Sequence, residues 1–142
     1  MNVSSDTNFD IKAIAQNCGL FGGMDDSLVI SNIDNLKTLY QHSQLVEIYN
    51  YMLSVATEPD VIMHIIRNLD VYRDPSSLEY LVDVLLLKNA NYSDSETKEK
   101  YNNVRVMCAK AIANQKNTDV VSSLLYCMNN KNENYRVRLA CA

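Results

Sequence analysis

The sequence predicts an all-α fold built from repeated helix pairs, and three observations predict it. Its 142 residues contain only three glycines and two prolines, too little turn punctuation for a β-rich chain. Apolar residues recur at helical spacing, as on one face of a helix. That pattern itself repeats: blocks begin at Leu28, Val61, Val104 and Val137, at offsets of 33, 43 and 33 residues. Periods of this size mark stacked supersecondary units, each unable to bury its apolar face alone.

The aligned columns are chemically coherent. The first holds Leu28, Val61, Val104 and Val137; the third Ile30, Met63, Val106 and Leu139; the sixth Ile33, Ile66, Ala109 and Ala142; the ninth Leu36, Leu69 and Ile112. Further along come Leu45, Leu78 and Val121, then Ile48, Leu81 and Leu124, then Tyr49, Val82 and Leu125, then Met52, Leu85 and Met128. These later columns follow the i, i+3, i+4, i+7 pattern of one helix face. The earlier columns run i, i+2, i+5, i+8, the wider stripe of a helix buried between neighbours. The seventh column is charged in every complete block: Asp34, Arg67 and Lys110.

Each element follows in order. Residues 9–17 read as a leading helix. Residues 18–26 hold all three glycines and end in an Asp25-Asp26-Ser27 cap signal, a loop entering a helix. The first helices of the blocks span about 28–39, 61–73 and 104–116, and the second about 44–56, 76–88 and 119–129. Asp74 is the expected N-cap of the second, with Pro75 at the first helical position, where a missing N–H costs nothing. Asn117 has the matching role in the next block, and Ser43 in the first. The ten extra residues between the second and third blocks fall in residues 89–103, which read as a polar loop whose shortening leaves the helices paired.

The strings Val104-Arg105-Val106-Met107-Cys108-Ala109 and Val137-Arg138-Leu139-Ala140-Cys141-Ala142 carry a resemblance. Val-Arg, two variable residues and then small residues resembles the second helix of HEAT repeats, and more narrowly the bacterial type first noticed in phycobilisome lyases. The resemblance covers residues 28–142. It is strongest in the last two blocks, because Leu28-Val29 and Val61-Ile62 lack the arginine. It implies an all-α, α-solenoid architecture of about three and a half HEAT-like antiparallel helix pairs, with the Val-Arg helices on the concave side. It also implies a protein-binding scaffold; the repeat hosts many tasks, so it implies no activity.

Composition narrows the function. The net charge is −4 and the pI about 5.1, against the basic footprint of a dedicated nucleic-acid binder. No apolar run reaches the length of a membrane span, and Met1 to Asp10 lacks the basic-then-apolar pattern of a signal peptide. A cytoplasmic protein with reduced thiols is expected. Cys18, Cys108, Cys127 and Cys141 form no C-x-x-C pair, and His42 and His64 are the only histidines, so neither metal nor cofactor is expected. Gly19-x-x-Gly22-Gly23 is followed by no Gly-Lys-Ser/Thr, so it reads as a turn rather than a phosphate loop. Cys108 and Cys141 share a column and read as small buried hydrophobes. His64 reads as a partly buried helix residue, and Tyr49, Tyr80 and Tyr126 as packed between repeats. Asp94, Glu96 and Glu99 read as solvated loop carboxylates.

The expectation is one domain over residues 1–142 that binds protein without catalysis. Its candidate partner-binding residues are Arg67, Arg105, Lys110 and Arg138, suited to an acidic or phosphorylated segment. Arg105 and Arg138 have a second reading, as structural arginines bonding helix-end carbonyls or a neighbouring carboxylate. The alternatives are a nucleic-acid-binding HEAT solenoid of the alkyl-base glycosylase sort and a phycobilisome-lyase-like chaperone. A helix starting at Val137 has only two turns before Ala142 and presents apolar side chains. The expectation is therefore a fragment at the N-terminal end of a longer solenoid, or an end that docks on another chain, self-association included.

Overall fold

A computed structural model describes residues 9–86 and 94–142. Among the described residues there are eight α-helices, three short 3-10 turns and no strand. The helices are α1 (Ile11–Asn17), α2 (Asp26–Asn35), α3 (His42–Val55), α4 (Pro59–Tyr72), α5 (Leu78–Leu86), α6 (Ser95–Asn114), α7 (Val121–Asn129) and α8 (Tyr135–Cys141). Among the described residues no helix is long and apolar enough to cross a membrane.

The caps explain the boundaries. Asp10 accepts from the Ala13 amide (3.1 Å) and starts α1. Asp74 accepts from Ser76 N (2.9 Å) and Asn117 from Asp119 N (2.8 Å). Each opens a 3-10 turn, Pro75–Ser77 or Thr118–Val120, that leads into α5 or α7. Ser43 is not the cap of α3: it lies inside the helix, which begins one residue earlier. Gln41 holds the cap position, and its backbone amide donates to Gln44 Oε1 (3.0 Å), the bond by which the third helical side chain of a capping box reaches back to the cap. α4 begins at Pro59, before the apolar stripe.

The largest departure from the sequence reading is α6. Residues 95–103 are not loop but the first half of a 20-residue helix, about 30 Å long. Asp94 caps it, accepting from Thr97 N (2.7 Å). Tyr101 then anchors it by donating to the Thr57 carbonyl, and Asn102 is buried. Glu99 is exposed, as expected of a solvated carboxylate, but on a helix rather than a loop, and it also pairs with Arg136. Shortening this segment would therefore remove helix. Residues 87–93, which include the rest of the expected loop and the end of the expected 76–88 helix, lie outside the described residues.

Packing arranges the helices in two rows. One runs α2, α4, α6, α8, each against the next; in the other, α1 meets α3 and α3 meets α5. The closest hairpins are α3 with α4, α5 with α6 and α7 with α8. The tight pair thus joins the second helix of one block to the first helix of the next, half a period out of phase with the blocks read from the sequence. The core lies between the rows. Ile33, Ile66, Ala109, Leu69 and Ile112 have no exposed surface, and Ile48, Tyr49, Leu81 and Leu85 close the other side. Beyond α6 the columns are less fully buried: Val121 and Leu125 on α7 and Leu139 on α8 are exposed, although Val137 keeps no exposed surface. Tyr126 is exposed too, against the expectation that it packs between repeats, whereas Tyr49 is fully buried and Tyr80 packs on the core.

Among the described residues, two non-glycine residues have left-handed backbones, Arg73 (φ 50°) and Lys116 (φ 55°). Both are the thirteenth residue of their block, just past α4 and α6. The Arg73 amide donates to Leu69 O (2.9 Å) and the Lys116 amide to Ala113 O (3.0 Å). Each turn places a cation at the negative end of a helix.

Candidate functional site

The four basic residues singled out from the sequence occupy two different environments. Arg105 is buried on α6. Its Nε donates to Leu85 O (2.8 Å), its Nη1 to Glu133 Oε1 (2.8 Å), and its Nη2 closes a second bond to Glu133 Oε2. The guanidinium thus ties the end of α5 to the turn before α8, and every arm of its fork is spent within the fold. Arg138 is half-buried, and its Nε donates to the Met128 carbonyl at the end of α7 (2.8 Å). These are the two bonds of the structural reading: a neighbouring carboxylate and a helix-end carbonyl.

Arg67 and Lys110 differ. They share the seventh column on the neighbouring helices α4 and α6, both are exposed, and neither bonds or ion-pairs with a described residue. Asp34, in the same column on α2, is engaged with His64 Nε2 (2.7 Å) and Lys37 Nζ (3.6 Å). Burial works against its ionisation, but the His64 hydrogen bond and the charges of His64 and Lys37 prevail and hold its pKa below the usual range. One helix turn beyond Arg67, Asp70 accepts from Asn114 Nδ2 (3.0 Å) and lies 3.8 Å from Arg73 Nε. The face thus carries two unengaged cations between carboxylates that already have partners.

A cleft of about 500 Å³ opens beside this row, where α3 gives way to α4 and meets α5 and α6. Leu53, Ile62, Val84 and Tyr80 line it, with Tyr101 and the buried Arg105 at its side. A second hollow of about 230 Å³ lies between the glycine turn and the start of α4. There Gly19 has φ +90°, and a Cβ on it would strike the Met24 side chain, so the turn requires glycine for backbone reasons.

All four cysteines are free and buried. Burial pushes each thiol up, Cys141 to about 12. Cys108 donates to Leu81 O (2.8 Å), and Cys127 lies 3.8 Å from Glu133 Oε2. Such thiols are poor nucleophiles at neutral pH. Among the described residues, no three His, Cys, Asp or Glu side chains converge as metal ligands.

Sequence reasoning missed Glu133, which sits in a polar turn, Asn130–Asn134, with no periodicity to mark it. It also missed Asn50, buried on α3, whose amide donates to Ser76 Oγ (3.2 Å) while its carbonyl accepts from Ser77 Oγ (2.6 Å). Its only trace in the sequence is an amide beside the apolar columns of α3. Compared with family models, curated proteins and solved structures, the chain matches none.

Proposed function

We infer that this chain is a non-catalytic protein-binding module, a HEAT-like stack of helix pairs whose α2–α4–α6–α8 row receives a partner. One observation carries the reading: Arg67 and Lys110 stand in register on packed neighbouring helices, exposed and without partners among the described residues. Cations held in register by a rigid helix row suit carboxylates or phosphates spaced along an extended acidic segment. Arg105 is left out of this surface, because removing Glu133 from it would strand a buried charge. Arg138 contributes only the part of its guanidinium not turned to Met128.

The nucleic-acid alternative loses support on the same ground. The Arg67–Lys110 pair, on a chain of net charge −4, neutralises few phosphates, and phosphate neutralisation supplies most non-specific affinity. The test is the double substitution Arg67→Glu with Lys110→Glu. Melting should be unchanged, and capture of partners seen with the parent protein should be lost. A large drop in melting temperature would make the strip structural. Parent binding to random duplex DNA with a steep salt slope, lost in the variant, would favour the nucleic-acid reading.

A further inference from the structure

Bonds between α4 and α6 fix how Arg67 and Lys110 stand to each other. Tyr101, early in α6, donates to the carbonyl of Thr57, just before α4. Near the other end, Asn114 Nδ2 donates to Asp70 (3.0 Å) and Gln115 Nε2 to the Asp74 carbonyl (3.1 Å). These partners lie 44, 44 and 41 residues apart along the chain, so α4 and α6 run parallel, in the register of the aligned columns. Arg67 and Lys110 share one column and therefore stand side by side, one turn before the Asp70–Asn114 bridge. Both helices are interior to the row: α4 lies between α2 and α6, and α6 between α4 and α8.

Packed helices have axes about 8–10 Å apart, and side chains in register start from backbones separated by the same distance. A ligand crossing the row has to bring anionic groups to that interval on one side of its own chain. A β-strand repeats a side every second residue, about 6.7 Å, which is too short. An α-helix repeats a side at the seventh residue, about 10.5 Å, but a bound helix lays its apolar face into an apolar groove. On α4 and α6, both described throughout, Val71 is the one large apolar side chain left exposed, so they present no such groove. A polyproline II segment has three residues per turn and rises about 9.3 Å in that turn, so side chains three apart point the same way. Its backbone is solvated and without internal bonds, which lets it lie across a polar surface. Like charges along an acidic segment also keep it extended.

The surroundings favour carboxylates over phosphates. Arg67 has Asp34 beside it in the column on α2 and Asp70 one turn further along α4, and a phosphate's second negative charge is opposed by neighbouring carboxylates. We propose that Arg67 and Lys110 recognise an acidic polyproline II segment with two carboxylates three residues apart, one for each cation. This rests on the protein-binding reading above and adds the conformation and spacing of what is bound.

Synthetic proline-rich peptides of equal length test it, carrying one glutamate, or two glutamates at a spacing of two, three or four residues. A helical alanine-rich peptide carries them seven apart. Two-dimensional NMR titrations at low salt, read on the amides of α4 and α6, give the affinities. The three-residue spacing should bind most tightly, about two- to fivefold above the single glutamate, the effect of one exposed ion pair. Arg67→Gln and Lys110→Gln should each abolish that gain, with circular-dichroism melts unchanged. Phosphoserine at both positions should bind more weakly than glutamate, and tighter binding overturns the choice of carboxylates. Equal affinity at every spacing, or strongest binding of another spacing or of the helical peptide, overturns the inference while leaving the protein-binding reading standing. If no acidic peptide of any spacing shifts these amides, that reading fails as well.

Discussion

Arg105 and Glu133, 28 residues apart, form a two-pronged ion pair with both side chains more than nine-tenths buried. The pair joins α6 to the turn that starts α8. Glu133 also accepts from the Asn134 amide (2.9 Å), and Asn134 in turn caps α8. Core, turn and last helix therefore depend on one carboxylate.

Breaking that pair from one side should be costly. Arg105→Met or Glu133→Gln should each destabilise by about 3–5 kcal/mol, because a buried charge loses its partner. Replacing both, Arg105→Met with Glu133→Leu, should cost much less than the sum of the single losses. Urea unfolding of the two single variants and the double variant checks this, and additive losses would contradict it.

Truncating the shared core columns gives a second expectation. Leu69 and Leu81 are buried on opposite rows, so Leu69→Ala and Leu81→Ala should each cost about 2–5 kcal/mol. Losses below about 0.5 kcal/mol, typical of surface sites, would be incompatible with this packing.

Acid should weaken the contact between α2 and α4 in a defined window. The folded pKa of Asp34 is lowered, so its contribution is fully present above the unfolded carboxylate value, about 3.9. It is lost as pH falls through the lower folded value. His64→Ala removes the hydrogen bond that lowers it. The variant should therefore lose less stability than the parent between pH 5 and the acid limit, roughly the window over which a paired carboxylate is protonated. Parallel acid titrations followed by circular dichroism measure the difference.

The left-handed residues offer a stabilising change. Left-handed backbone costs an L-residue roughly 1–2 kcal/mol, and glycine avoids the clash at some cost in unfolded-state entropy. Lys116→Gly should thus stabilise by up to about 1 kcal/mol. Lys116→Val, β-branched at the same φ, should destabilise. Thermal melts of both variants test the sign.

Much of the fold was legible because it rests on local chemistry. Asp74-Pro75 and Asn117 announced their turns, and Leu69, Leu81 and Ile112 announced the core. Residues 95–103 were not legible because their helix carries no apolar stripe. Its support comes from Asp94 at the cap and from long-range bonds of Tyr101 and Glu99. A weak signal was available in Glu96 and Lys100, a favourable i, i+4 pair. The candidate site divides the same way. Arg67 and Lys110 could be placed from the column alone. Arg105 could not, since its fate depends on Glu133, a residue in an aperiodic turn that only the tertiary fold brings near.

α6 has a kinetic meaning as well as an architectural one. It is the longest described helix, and it packs closely on α4, α5 and α8. Most close packing joins helices one or two steps apart in the chain, a pattern of short loop closures that favours rapid folding. The terminal helices α1 and α8, seven residues each, can fray without disturbing the centre, whereas α6 cannot open without releasing both sides at once. Backbone amides along α6 beyond Asn102 should therefore be among the last to exchange with solvent deuterium, and those of α1 and α8 among the first. The molecule should behave as a slow-opening centre with two quick ends.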